Sequence, residues 1–163
     1  MENYICIGGK KAALTPEQLK ALGIELKEKS PFKRETGQVY HYISYKGTIE
    51  TARDDCSIDT DAFNVANYCT DKALMEQRAL HETLNRLLWR YSMEHDGDKI
   101  DWSNKNKYKY KLLFDHEDNK VVIDFSRIWN GIGVVHFYTK EIAKNAIKEI
   151  VEPFMEEHPE FKW

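Results

Sequence analysis

The stretch from Asp71 to Glu94 constrains this chain most. Ala73, Leu74, Leu80, Leu84, Leu87, Leu88 and Tyr91 recur there at helical spacing, which places apolar side chains along one face of an α-helix. Thr70 stands in front as a candidate cap, and the turn-rich "HDGDKIDWSNKN" closes the segment. The spacing predicts one long helix, with strand-like segments on both sides of it. "YICIGGKKAAL" reads as two short strands around a Gly8-Gly9 turn, and "QVYHYISYKGTIETA" as two more with a turn near Gly47. "KYKYKLLFD", "NKVVIDFS" and "GVVHFY" read as three further strands. "RDDCSIDTDAFNVANY" reads as a polar loop returning to a short strand at Val65 to Tyr68.

Two shorter helices frame this core. In "LTPEQLKALGI", Thr15 can cap, Pro16 suits the first helical position, Gln18 completes a capping box and Gly23 is a stop. In "TKEIAKNAIKEIVEP", Thr139 caps and Pro153 is expected to end the helix. The expected fold is therefore α+β: a single domain over residues 1–163, with an antiparallel sheet packed against one long and two shorter helices.

The two halves also echo each other. "YHYISYKG" at Tyr40 matches "KYKLLFDH" at Lys109, and "NYCTDKAL" at Asn67 matches "HFYTKEIA" at His136, each pair 69 residues apart. Two related strand-plus-helix units, about 38–95 and 107–152, would explain this. So would the ordinary frequency of strand–Thr–helix order in α+β proteins.

Charge and cysteine content exclude several classes. The formal net charge is −3, whereas a free-standing nucleic-acid binder usually carries a basic surplus. Cys6, Cys56 and Cys69 are scattered and form no C-x-x-C pair, so neither a disulfide framework nor a zinc knuckle is expected. The N-terminal "MENYICIGGKK" lacks the apolar run of a signal peptide. No segment reaches the roughly 20 apolar residues of a membrane span. A cytoplasmic location without membrane contact is expected.

Catalytic signatures are incomplete throughout. His81-Glu82 begins like the H-E-x-x-H zinc helix, but Asn85 occupies the second histidine position. On the helical wheel His81 falls close to the apolar stripe, where a buried core histidine is expected. His95-Asp96 resembles a phosphohydrolase dyad without the further ligands. "DGDKIDWSNKNK" puts Ile100 where a calcium loop needs an oxygen. Gly8-Gly9-Lys10 lacks the rest of a phosphate loop, and no G-x-S-x-G elbow exists. No enzyme, no cofactor and no metal site is expected.

Binding candidates remain. Glu82, Arg86, Arg90 and Glu94 stand at helical neighbour spacing and predict a charge-compensated, solvated face. Trp89 falls away from the apolar stripe, and Trp and Arg concentrate in binding hot spots. Trp89, Arg86, Arg90 and Trp129 are thus the expected partner contacts. Lys105, Lys107, Lys109 and Lys111 form the most basic stretch. In a strand the last three share one face, opposite Tyr108, Tyr110, Leu112 and Phe114. That face is either a solvated strand surface or a strip for nucleic-acid phosphates.

Several blocks together resemble a family. "GGKKAALTPEQLKALGI", "SPFKRETGQVYHYIS", "ANYCTDKALMEQRALHETLNRLLWRYS" and "FYTKEIAKNAIKEIVEPFMEEHPEF" look like small proteins encoded in phages and prophages of Firmicutes, particularly gut Clostridia. The resemblance spans nearly the whole chain and implies no catalytic residues. It implies an accessory protein expressed during infection or lysogeny, which acts by binding a host or phage protein. Counter-defence inhibition, for example as an anti-CRISPR protein, is the leading role. Service in phage DNA metabolism through nucleic-acid binding is the alternative. Acidic Glu152, Glu156, Glu157 and Glu160 would suit a basic channel on such a target, or would simply keep the tail soluble.

Overall fold

Capping chemistry fixes the first helix, α1 (Pro16–Ala21). The Thr15 N–H donates to Gln18 Oε1 at 2.8 Å, and the Gln18 N–H donates to Thr15 Oγ1 at 3.3 Å. This reciprocal box satisfies two otherwise orphaned helix donors. In the computed structural model, which describes residues 4–7, 10–22 and 30–163, the chain is α+β. It divides into two compact units, Met1–Arg34 and Glu35–Trp163. The first unit holds α1 and an antiparallel pair, β1 (Tyr4–Ile7) and β2 (Lys10–Ala13). The expected Gly8-Gly9 turn and Gly23 stop lie outside the described residues.

The second unit is built on two hairpins. β3 (Val39–Ile43) pairs with β4 (Ile49–Arg53), and β5 (Lys109–Asp115) pairs with β6 (Lys120–Ser126). Among the described residues the strands stay in separate two-stranded sheets and do not merge into one. Beyond β3 the pairing runs on to Ser44 and Thr48, whose N–H···O bond is 2.8 Å. That leaves Tyr45, Lys46 and Gly47 as a three-residue loop, with Gly47 at φ +81°. Such loops end in a left-handed residue, which glycine adopts without a steric penalty.

The segment expected to be a loop before Tyr68 contains a helix, α2 (Ser57–Asn64). Its start is written in Asp59, whose carboxylate accepts from the N–H groups of Asp55 at 2.9 Å and Cys56 at 2.7 Å. The strands expected at Val65 to Tyr68 and in "GVVHFY" reduce to single bridges, Cys69 to His41 and Phe137 to Tyr110. Two residues after each bridge a helix is capped, by Asp71 and by Thr139. Asp71 takes the role expected of Thr70: its carboxylate accepts from Leu74 N–H at 3.1 Å. The order hairpin, bridge, cap, helix thus occurs twice. The bridged strand residues His41 and Tyr110 are 69 positions apart, and the caps are 68 apart.

The long helix α3 (Lys72–Glu94) does not carry a single apolar stripe. Met75 and Ala79 are buried with Ile43 and Cys69 against the first hairpin. Leu84, Leu88 and Tyr91 are buried in a larger cluster with Phe137, Ala143 and Val151. Met75 and Leu84 are nine positions apart. At about 100° per residue they point in nearly opposite directions. The helix therefore hands over from one core to another on its far side halfway along. Leu74, expected in the stripe, is 42% exposed.

α3 ends sharply. Asp96 takes the left-handed conformation at φ 67°, and a Cβ on Gly97 would lie 2.5 Å from Ser92 Oγ. The last helix starts at Thr139 as α4 (Lys140–Ala146) and widens into a π-helical turn over Ile147–Val151. It then continues as α5 (Glu152–Glu157). Pro153 does not end it. A proline ring clashes with the carbonyl four residues back in a regular α-helix, and the wider turn just before Pro153 relieves that conflict. The C-terminal residues are tied to α3 by Gln77. Its amide donates to Glu160 O at 2.8 Å and accepts from Lys162 N–H at 2.9 Å. Among the described residues no helix is long and apolar enough to cross a membrane.

Candidate binding surfaces

The two histidines of α3 do not come together. His81 is exposed, not buried as the wheel suggested, and its ring packs 4.7 Å from Phe161. By helical phase it borders the Leu84–Leu88 face, but its own ring is left uncovered there. It edges a cleft of about 400 Å³ with Asn85, Leu112, Phe137 and Trp163. His95 is stacked on Tyr91 at 4.0 Å and bonded through Nδ1 to Tyr91 O at 2.8 Å. Among the described residues one trio could gather metal-ligating atoms: Asp55, Cys56 and Asp59. Asp59 is already spent. The Tyr40 hydroxyl donates to it at 2.6 Å alongside the two helix-start N–H groups. The Tyr40 hydrogen bond, then the Cys56 N–H, holds the Asp59 carboxyl well below the usual carboxylate range.

The expected partner residues fall into two places. Arg86, Trp89 and Arg90 line one groove of about 490 Å³ on α3, together with Tyr45, Lys46, Gly47, Thr83 and Leu87. By helical phase, Arg86 and Arg90 continue the face that Met75 and Ala79 bury further up. The hairpin covers that face only as far as its turn, so beyond the turn the face lies open. The three-residue loop projects Tyr45, which is 92% exposed, beside Trp89, which is 58% exposed. Lys46 Nζ sits 5.5 Å from the Tyr45 ring centre.

The expected charge compensation along this face does not form. Glu82 pairs with Arg78 at 2.8 Å instead of with Arg86. Arg86, Arg90 and Lys46 have no ion-pair partner among the described residues. No acidic side chain lines the groove. Three cations and two exposed aromatic rings therefore share one recess. Tyr45 escaped the sequence reading because its exposure depends on the turn and not on its own strand pattern.

Trp129 lies in a different depression of about 370 Å³, lined by Lys105, Tyr108, Phe125, Arg127 and Ile128. Trp129 is 77% exposed, and Phe125, Ile128 and Ile132 are exposed nearby in sequence. Here one of the two cations is engaged. The Arg127 guanidinium lies 4.4 Å from the Tyr108 ring centre and donates to the Tyr108 hydroxyl.

The basic strand does not present a phosphate strip. Lys109, expected on an open face, is buried at 2% exposure. Its ammonium donates to Asn104 O at 2.6 Å and Arg127 O at 2.9 Å, and lies over the Trp102 ring. Lys111 pairs with Asp124 at 3.1 Å across the hairpin, and Lys107 donates to the Tyr138 hydroxyl at 3.3 Å. The loops before β5 and after β6 close over this face, which strand alternation alone could not foresee. Lys105 stays exposed at the rim of the Trp129 depression.

Compared with protein-family models, curated proteins and solved structures, the chain matches none of them.

Proposed function

We propose that this is a non-enzymatic interaction protein that binds a protein partner through the Trp129 surface. The observation that carries the reading is the open apolar patch of Phe125, Ile128 and Trp129 in one depression. Exposed apolar patches rimmed by polar groups mark interaction sites, and Trp, Tyr and Arg dominate binding hot spots. Arg127 is already satisfied by Tyr108, so the patch offers shape and apolar area more than free charge.

The role follows the family resemblance: a phage-derived accessory protein, cytoplasmic in the host, that blocks a defence component such as a Cas nuclease. The test has two parts. The tagged protein is used to capture partners from host extract, with and without nuclease, and the captured protein is identified. Phage plating is then compared in a defence-bearing host that expresses the wild type or Trp129→Ser. A nuclease-resistant partner and rescued plating, both lost in Trp129→Ser, are expected. Capture or rescue that is unchanged in the variant overturns the Trp129 assignment. No rescue by the wild type overturns the counter-defence role.

A further inference from the structure

We propose that the recess between Tyr45 and Trp89 is a binding site for single-stranded nucleic acid. Every side chain needed is present in one place. Tyr45 and Trp89 are exposed rings, with Lys46 over one side of Tyr45, and bases of any sequence can stack on such rings. Lys46, Arg86 and Arg90 surround the rings without ion-pair partners among the described residues, and no carboxylate lines the recess to repel a phosphate.

The chain as a whole is acidic, at −3, so a local cationic recess is a departure from its average and not a by-product of it. An acidic peptide would satisfy the three cations but would leave both ring faces without planar partners. Duplex nucleic acid has its bases stacked on one another and unavailable to the rings. A single strand uses both parts of the recess. The site is separate from the Trp129 depression, with which it shares no lining residue.

Salt dependence gives a quantitative expectation. If the three cations each meet a phosphate, the logarithm of affinity should fall with the logarithm of salt with a slope of about −2. Removing Arg86 and Arg90 should reduce that slope by about 1.4.

The experiment uses the full chain and a fluorescein-labelled oligothymidine of about 10 nucleotides. Anisotropy is read between about 50 mM and 200 mM salt, with the same label on a duplex and on a polyglutamate peptide as competitors. Trp89→Ala and Tyr45→Ala should each weaken oligothymidine binding about tenfold, and Arg86→Ala with Arg90→Ala should flatten the salt slope. Ile58→Ala, on the exposed side of α2, should change neither. All five replaced positions are exposed, and the circular dichroism melt of each variant verifies folding. No binding at the lowest salt overturns the proposal. So does equal affinity for polyglutamate or duplex, or binding unmoved by the Tyr45 and Trp89 variants.

Discussion

The Trp129 depression and the Tyr45–Trp89 recess are written with the same residues, aromatic rings beside Arg and Lys, yet they differ in what the cations are doing. Around Trp129 the cations are mostly structural, with Lys105 alone left exposed at the rim. Lys109 is buried and bonded to two backbone carbonyls, and Arg127 lies on Tyr108. Around Trp89 the two arginines are idle: Glu82 pairs with Arg78, leaving Arg86 and Arg90 exposed with no ion-pair partner among the described residues, while Lys46 touches only the Tyr45 ring. Counting basic residues along the sequence points to Lys105–Lys111 as the anion site. Counting which cations remain available points to α3. A charge that already holds the fold together cannot also serve a ligand without a cost to stability.

The sharpest way to break this comparison is to remove one cation of each kind. Lys109→Met keeps the apolar stem but deletes the ammonium, so it should destabilise the protein by about 2 kcal/mol, the range for charge-assisted hydrogen bonds. Urea unfolding followed by circular dichroism measures this. A change under about 0.5 kcal/mol, the usual size for inert surface positions, would mean that Lys109 is as dispensable as the cations of the recess.

The recess depends on the first hairpin, and the hairpin depends on its turn. Gly47 at φ +81° has room around it, since its nearest neighbour to an added Cβ is Thr83 Oγ1 at 3.8 Å. The conformation, not crowding, therefore sets the cost of Gly47→Ala, roughly 1–2 kcal/mol. The same change should weaken oligothymidine binding, because Tyr45 is displayed by that loop. A melting temperature equal to that of the wild type would show that the loop is not held in this conformation.

Acid should loosen the same hairpin. Tyr40 of β3 and Asp59 of α2 are joined by a buried 2.6 Å bond, and Tyr40 also stacks on Tyr68 at 4.1 Å. The Asp59 carboxyl is held low by Tyr40 and by the Cys56 N–H. A carboxyl depressed in the folded state releases more protons there than in the unfolded chain. Its contribution is complete above the ordinary Asp value near 4 and drains away as pH falls towards the folded value. Melting temperature should therefore drop below about pH 4, and Asp59→Asn should flatten that part of the profile. Identical slopes for the two proteins would remove Asp59 from the account.

Much of the framework was legible because its signals are local. The Thr15–Gln18 box, the hairpin around Gly47 and the Thr139 start each need only a few adjacent residues. α2 was missed because its start is marked by Asp59 behind an uninformative Cys56. The passage through Pro153 was missed because a π-helical turn has no sequence mark of its own. The long helix misled for a different reason. Averaging over its full length merges two buried faces that point opposite ways, which moved Leu74 into the core; His81 does border the Leu84–Leu88 face, but an open cleft rather than another element lies over it. The same blending hid the recess, since Arg86 and Arg90 are recognisable as the open continuation of the Met75–Ala79 face only once the two halves are phased separately. Trp89 was legible as an outlier from the stripe, whereas its neighbour Tyr45 comes from a loop more than forty positions earlier.

The smallest expected effect is also the most discriminating. Arg86→Ala with Arg90→Ala removes two side chains that make no ion pair among the described residues, so folding stability should move by no more than about 0.5 kcal/mol. Removing two like charges from one helix face relieves repulsion, since the two lie four positions apart, and like pairs at that spacing cost a few tenths of a kcal/mol. The sign should therefore tend towards stabilisation, most visibly at low salt, where screening is weakest. Urea titrations at low and high salt measure this. A clear loss of stability would mean that the two arginines hold the fold as Lys109 does, and the distinction between idle and engaged cations would fail.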